Sequence, residues 1–267
     1  MNVNFGLTAS DYAKHRAGFP DRFFERVFNE GIVKAGDLLA DLGTGTGTLA
    51  RGFAERGCTV TGIDISAQLM EQARDFALQA GLEVDFRFAK AEATGLPDDH
   101  YDVVTAGQCW HWFDRPVAAL EMKRILKPNG RAVIAHFDWI PLDGNVVDLI
   151  EKLIETYNPK WYVEFGGKTG VYPDWLRDLG EAGFLDIQTF SFDMDVPYTH
   201  EDWRGRIRAS SGVGASLSEA EVGRFDSELK SMLEVYEQDA GGREAGSHPI
   251  LKIPHRVSVI HAQKPSF

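Results

Sequence analysis

The sequence predicts a doubly wound α/β fold, and three observations carry that prediction. Short apolar runs alternate with segments of helical period from about Ala35 to Phe137. A glycine-rich turn, Asp41-Leu42-Gly43-Thr44-Gly45-Thr46-Gly47, joins the first apolar run to the first helical segment. The second half then changes texture, with amphipathic helices and two further alternating strands. Strands separated by helices imply right-handed crossovers and a parallel sheet.

Each element has its own signal. Leu38 to Leu42 is a short apolar run ended by glycines, as expected of a strand buried on both faces. Leu49, Ala50, Phe53 and Ala54 recur at helical spacing, and Thr59 to Ile63 reads as the second strand. Ser66 is placed to cap a helix with Leu69, Ala73, Phe76 and Ala80 along one side, stopped by Gly81. Val84 to Ala89 and Tyr101 to Ala106 follow as strands three and four. Asp114 and Pro116 announce a helix to Lys127, and Arg131 to Phe137 is the fifth strand.

Beyond it, Val146, Ile150, Leu153 and Tyr157 mark an amphipathic helix, and Pro173 opens another. Asp186 to Asp195 alternates as a strand does. Ser218-x-x-Glu221 is a capping box before the periodic residues Val222, Phe225, Leu229, Met232 and Tyr236. His255 to Gln263 alternates again and is expected as an antiparallel edge partner. Gly205 to Ser218 and Asp239 to Ser247 are rich in small residues and read as loops, the first as a mobile one.

The organisation expected is a single domain over 1–267, with a ligand-binding core at about 35–140 and a closing strand at about 255–263. Residues 1–34 and about 141–250 would then supply cap elements. The apolar share of 43% suits an ordinary core. A net charge of −12 leaves little basic surface for a nucleic acid, so none is expected as partner. Cys58 and Cys109 form no Cys-x-x-Cys pair and read as small buried hydrophobes. The eight histidines show no ligand spacing, so no metal site is expected. Met1 to Phe5 lacks a leader pattern and no run is long enough to span a bilayer, which predicts a cytoplasmic protein with no membrane partner. Oligomeric state is not legible.

The glycine turn is a place where backbone amides and a helix N-terminus meet a ligand. Its spacing is Gly-x-Gly-x-Gly, whereas the dinucleotide fingerprint is Gly-x-Gly-x-x-Gly. Asp41, two residues before the first glycine, would repel a pyrophosphate but suits an ammonium group. Asp64 ends the second strand, where a carboxylate can accept both hydroxyls of a ribose.

These stretches resemble the first two motifs of class I S-adenosylmethionine-dependent methyltransferases. Ala91-Glu92 before Leu96-Pro97, then Tyr101-Asp102-Val103-Val104, resemble their third and fourth. Leu126-Lys127-Pro128-Asn129-Gly130 resembles the turn before their fifth strand. The likeness is strong from Leu38 to Phe137. It implies a Rossmann-like, doubly wound, seven-stranded mixed sheet with helical cap insertions, and methyl transfer to an oxygen, nitrogen or carbon nucleophile of a small molecule. S-adenosylmethionine would be the cofactor and S-adenosylhomocysteine its product. Carried over by position, Gly43, Thr44 and Gly45 line the methionine portion, Asp41 its amine and Asp64 the ribose. Ala91 and Glu92 face adenine, because Lys90 stands where many relatives carry Asp.

Gln108-x-x-His111-Trp112-Phe113-Asp114 follows strand four and resembles a subgroup that includes the trans-aconitate methyltransferase-like enzymes. Gln108 joins the expected cofactor contacts. Aromatic faces favour a sulfonium, so Trp112 is a substrate-side candidate, while Phe113 is expected to pack the next helix. His111 is a candidate general base, substrate partner or orienting residue, and His136, ending strand five, is a second candidate base. Trp139 lies just beyond it. Tyr12 and Arg16, one helical turn apart, are placed to close over the cofactor, with Arg16 meeting its carboxylate. Trp161, Tyr162, Arg206 and Arg208 are further substrate candidates, arginine suiting a carboxylic acid. Two rival readings remain: a nicotinamide-dependent oxidoreductase on a related fold, and a non-catalytic S-adenosylmethionine-binding regulatory protein. The first lacks the dinucleotide spacing and a Tyr-x-x-x-Lys pair.

Overall fold

The computed structural model describes residues 18–161, 170–239 and 250–266. They fall into two compact units, one from Gly18–Phe137, Val171–Phe192 and the chain beyond Val257, the other from within 138–170 and 193–256.

The first unit is wound on a sheet of seven strands in the order β3-β2-β1-β4-β5-β7-β6. Its strands are β1 (Leu38–Leu42), β2 (Thr59–Asp64), β3 (Val84–Phe88), β4 (Tyr101–Gly107), β5 (Leu126–Trp139), β6 (Leu185–Thr199) and β7 (Ile250–Gln263). The tails of β5 and β6 and the start of β7 belong to the second unit. β1 pairs in parallel with β2 and β4, β2 with β3, and β4 with β5. At the β5–β7 edge the Lys264 N–H donates to the Gly130 carbonyl at 2.9 Å, so the end of one strand meets the start of the other. The sheet is therefore mixed.

β1 lies inside the sheet, between β2 and β4, and its Leu39, Ala40 and Leu42 are fully buried. Burying a leucine contributes roughly 1.5–3 kcal/mol. Helices α1 (Asp21–Asn29), α2 (Thr48–Ala54), α3 (Ala67–Gln79), α4 (Arg115–Ile125) and α6 (Pro173–Glu181) flank these strands in sequence. Ser66 Oγ caps α3 by accepting the Leu69 N–H, and Gly81, at φ +67°, follows its end, as expected.

Three expectations about placement change. Residues 18–34 were assigned to the cap, but α1 buries Phe23 and Phe24 against Phe53 and so belongs with the sheet. The last strand begins at Ile250, not His255, and lies between β5 and β6, so β6 forms the edge. Strand order is set by tertiary pairing, which alternation does not encode. Leu126–Gly130 is part of β5, and a register shift between Tyr101 and Val103 absorbs it.

The second unit packs α5 (Val146–Tyr157), α7 (His200–Arg208) and α8 (Glu219–Asp239) around Ile150, Ile154, Trp203, Ile207, Phe225 and Leu229. Helix α7 corrects the loop expected from Gly205. Trp203 and Ile207, one turn apart and fully buried, hold it helical. Ser218 and Glu221 close the capping box before α8, the Ser218 N–H donating to Glu221 at 2.9 Å. Among the described residues no helix is long and apolar enough to cross a membrane.

Candidate active site

The glycine turn leaves the carboxyl end of β1 with Gly43, Gly45 and Gly47 all at positive φ. Two of them answer to different constraints. A Cβ on Gly43 would stand 2.8 Å from Cys109 Sγ and 2.9 Å from the Phe113 ring, so protein packing demands glycine there. A Cβ on Gly45 would meet nothing within 4 Å, so the space over Gly45 is open. The turn is tied to β2: Thr44 N–H donates to the Ile63 carbonyl at 2.9 Å, and Gly45 N–H to Asp64 Oδ2 at 2.8 Å. Asp64 Oδ1 accepts the Ser66 N–H at 2.8 Å, which fixes the carboxylate plane.

Asp41 is 1% exposed. Its carboxylate accepts hydroxyl protons from Thr44 and Thr105, both at 2.7 Å. Burial raises its pKa to about 6, opposed by those two hydrogen bonds. The structure thus gives Asp41 work inside the loop, holding Thr44, with no open face toward an amine. Ala91 is buried, and Glu92 turns its carboxylate to the Asp114 N–H at the start of α4, 2.8 Å away.

At the carboxyl ends of β4 and β5 the two candidate histidines come together. Gln108 leaves β4 at φ +59°, its N–H donating to the Ala135 carbonyl at 2.8 Å, and a short 3-10 turn follows over Trp110–Trp112. Trp110 anchors that turn, fully buried, with its indole N–H donating to Asp178 at 2.9 Å. His111 then lies edge-on to His136, ring centroids 5.3 Å apart. His136 Nδ1 shares a 3.2 Å hydrogen bond with the Tyr172 hydroxyl, and Tyr172 stacks on Trp175 at 3.8 Å. Sequence reasoning missed Tyr172 and Trp175. Their only local signal is a pair of aromatics flanking Pro173 at a helix start. Phe113 packs on Trp110 and toward Gly43, as expected. Trp112 stays 39% exposed.

Comparison with known proteins agrees with this arrangement. The family described as a methyltransferase domain matches residues 40–134, which span the glycine turn, Asp64 and the His111 loop. Residues 40–134 are thus a methyltransferase domain, and the chain is an S-adenosylmethionine-dependent methyltransferase. Among its relatives, an uncharacterised methyltransferase of Schizosaccharomyces pombe is 26% identical over 212 residues, 78% of this chain and 79% of that one. The malonyl-[acyl-carrier protein] O-methyltransferase of Geobacter sulfurreducens is 29% identical, covering 96% of this chain and 94% of its own. Among solved structures, phosphoethanolamine N-methyltransferase 2 of Haemonchus contortus with S-adenosyl-L-methionine superposes with a TM-score of 0.58 at 18% identity. It spans 99% of this chain and 57% of its own.

The remaining candidates of the methyltransferase lie elsewhere. Trp139 and Arg208 sit in the second unit. Trp139 donates its indole N–H to Glu151 at 2.7 Å. Arg208 is engaged by Asp226 at 2.7 Å and Glu201 at 2.8 Å, so its expected substrate role gives way to a structural one. Trp161 is buried and donates to the other oxygen of Glu151. Tyr12, Arg16 and Tyr162 lie outside the described residues.

Proposed function

We propose that the methyltransferase holds S-adenosylmethionine over Gly45 and against Asp64, and methylates a small molecule presented to the His111–His136–Tyr172 cluster. The observation that carries this reading is the Gly45–Asp64 hydrogen bond of 2.8 Å. It sets an open glycine beside a carboxylate whose two oxygens each keep a further lone pair for hydroxyl donors. Thr44 and Gln108 border the same sheet edge, where open α/β sheets bind ligands. Glu92 and Ala91 remain on the adenine side of this reading.

S-adenosylmethionine supplies a methyl group already attached to a good leaving group. The protein's share is then to bind, orient and exclude water, which together supply most of the acceleration. His111 orients the acceptor. Where the acceptor carries a proton, His136 takes it at a ring nitrogen while Tyr172 fixes the imidazole's orientation. The net charge of −12 favours a small acceptor over a nucleic acid. The acceptors named for two relatives, malonyl-[acyl-carrier protein] and phosphoethanolamine, both carry an anionic group.

The test is turnover against pH for wild type, His111→Asn, His136→Gln and Tyr172→Phe, with an acceptor found from a metabolite panel. His111→Asn is expected to raise KM and keep the pH profile. His136→Gln is expected to lower kcat by roughly 10²–10⁴ and remove the acid limb. An acid limb that vanishes only in His111→Asn reverses the two roles.

A further inference from the structure

We propose that Arg206, held on the Trp139 ring, binds a carboxylate-bearing ligand within the second unit. Helix α7 carries three arginines, and two are spoken for. Arg204 and Arg208, one turn apart, both pair with Asp226 and Glu201. Arg206 falls between them on another face of the helix. Its guanidinium carbon lies 4.7 Å from the centre of the Trp139 ring, and among the described residues it makes no ion pair.

That is an unusual state for a charge. Burial depresses the Arg206 pKa, and the charges of Tyr198 and Asp138 oppose that shift. The guanidinium is half-buried, and its N–H donors are left for a ligand. Glu151 is engaged by the indoles of Trp139 and Trp161 and is not among the charges that act on Arg206. The same aromatic cluster holds a second donor without an acceptor, the buried indole N–H of Trp203, whose ring meets Trp139 edge-on at 5.4 Å.

The Trp139 face positions the cation through cation–π attraction and leaves its forked donors for a planar acceptor. A carboxylate takes that fork with two parallel hydrogen bonds, which a neutral amide does not match.

The experiment is thermal unfolding of the S-adenosylhomocysteine-bound protein with succinate, glutarate and phenylacetate. Each is compared with its amide, and with phosphoethanolamine, at equal ionic strength. At least one acid is expected to raise the midpoint of wild type by about 2 °C or more, its amide not. The rise is expected to vanish in Arg206→Met and Arg206→Gln. Without acid, Arg206→Met is expected to melt no lower than wild type, whereas Arg208→Met, which strands Asp226 and Glu201, melts lower. Equal effects of acid and amide, no effect of any acid, an effect of phosphoethanolamine alone, or a rise that survives both Arg206 variants overturns the proposal. Calorimetry of S-adenosylhomocysteine binding is run alongside. Its failure in wild type counts against the cofactor reading, whereas S-adenosylhomocysteine binding together with an acid effect that does not depend on Arg206 counts against this proposal alone.

Discussion

Gly45 donates its backbone N–H to Asp64 Oδ2 at 2.8 Å, joining residues nineteen apart in the chain at the carboxyl edge of the sheet. The bond aims the carboxylate and shapes the glycine turn at once. The glycines of the turn divide accordingly, Gly43 pressed by side chains and Gly45 facing open space.

Alanine at Gly43 and at Gly45 separates those two demands. Gly43→Ala drives a methyl into Cys109 and Phe113 at under 3 Å, at a positive φ. It is expected to destabilise the protein by roughly 1–3 kcal/mol from overpacking, plus about 1 kcal/mol from the backbone. Gly45→Ala carries only the backbone cost but fills the open space, so cofactor affinity falls more than stability. Urea unfolding and calorimetry on both variants check the split. Equal losses of stability would contradict it.

Asp41 sets a pH dependence whose sign follows from its surroundings. Burial raises its pKa from the ordinary 3.8 to about 6, so the folded protein holds a proton that the unfolded chain releases. Stability from this group is therefore present at about pH 4 and is lost as pH rises through 6. Relative to Asp41→Asn, wild type is expected to lose about 3 kcal/mol between those limits and nothing more above them. Chemical denaturation of both proteins at a series of pH values measures the difference. A gap that does not vary with pH would show that Asp41 is not buried against its charge.

Trp110 is the tether of the loop that carries His111. Trp110→Phe keeps an aromatic ring, trims the indole's volume and removes its N–H from Asp178, leaving Arg115 at 3.5 Å as a distant partner. A loss of about 1.5–3 kcal/mol is expected, the range for a hydrogen bond to a charged group. S-adenosylhomocysteine affinity is expected to hold within about twofold, because neither residue touches the glycine turn. An unchanged midpoint in urea would remove Trp110 as the tether.

What the sequence revealed is local in origin. The glycine turn, the Ser66 cap and the Ser218–Glu221 box announce themselves within a few residues, and each forms as read. The His136–Tyr172 contact spans thirty-six residues and depends on how α6 follows the sheet, so no spacing reveals it. Arg208 looked equivalent to Arg206 because small residues near Gly205 hid the helix. Only the phase of α7 shows which arginine meets Asp226 and which meets Trp139. The place of β7 inside the sheet is likewise a matter of pairing, not of alternation.

The most direct measurement is calorimetry of S-adenosylhomocysteine binding to wild type, Asp64→Asn and Asp64→Ala. Wild type is expected to bind one equivalent and to show no heat with NAD. Asp64→Ala is expected to lose roughly 1.5–3 kcal/mol of binding while remaining folded, since a charged hydrogen-bonding partner is removed. Asp64→Asn, which keeps an acceptor oxygen for Gly45, should fall between the two. Unchanged affinity in a folded Asp64→Ala protein would contradict the placement of the cofactor at the Gly45–Asp64 edge.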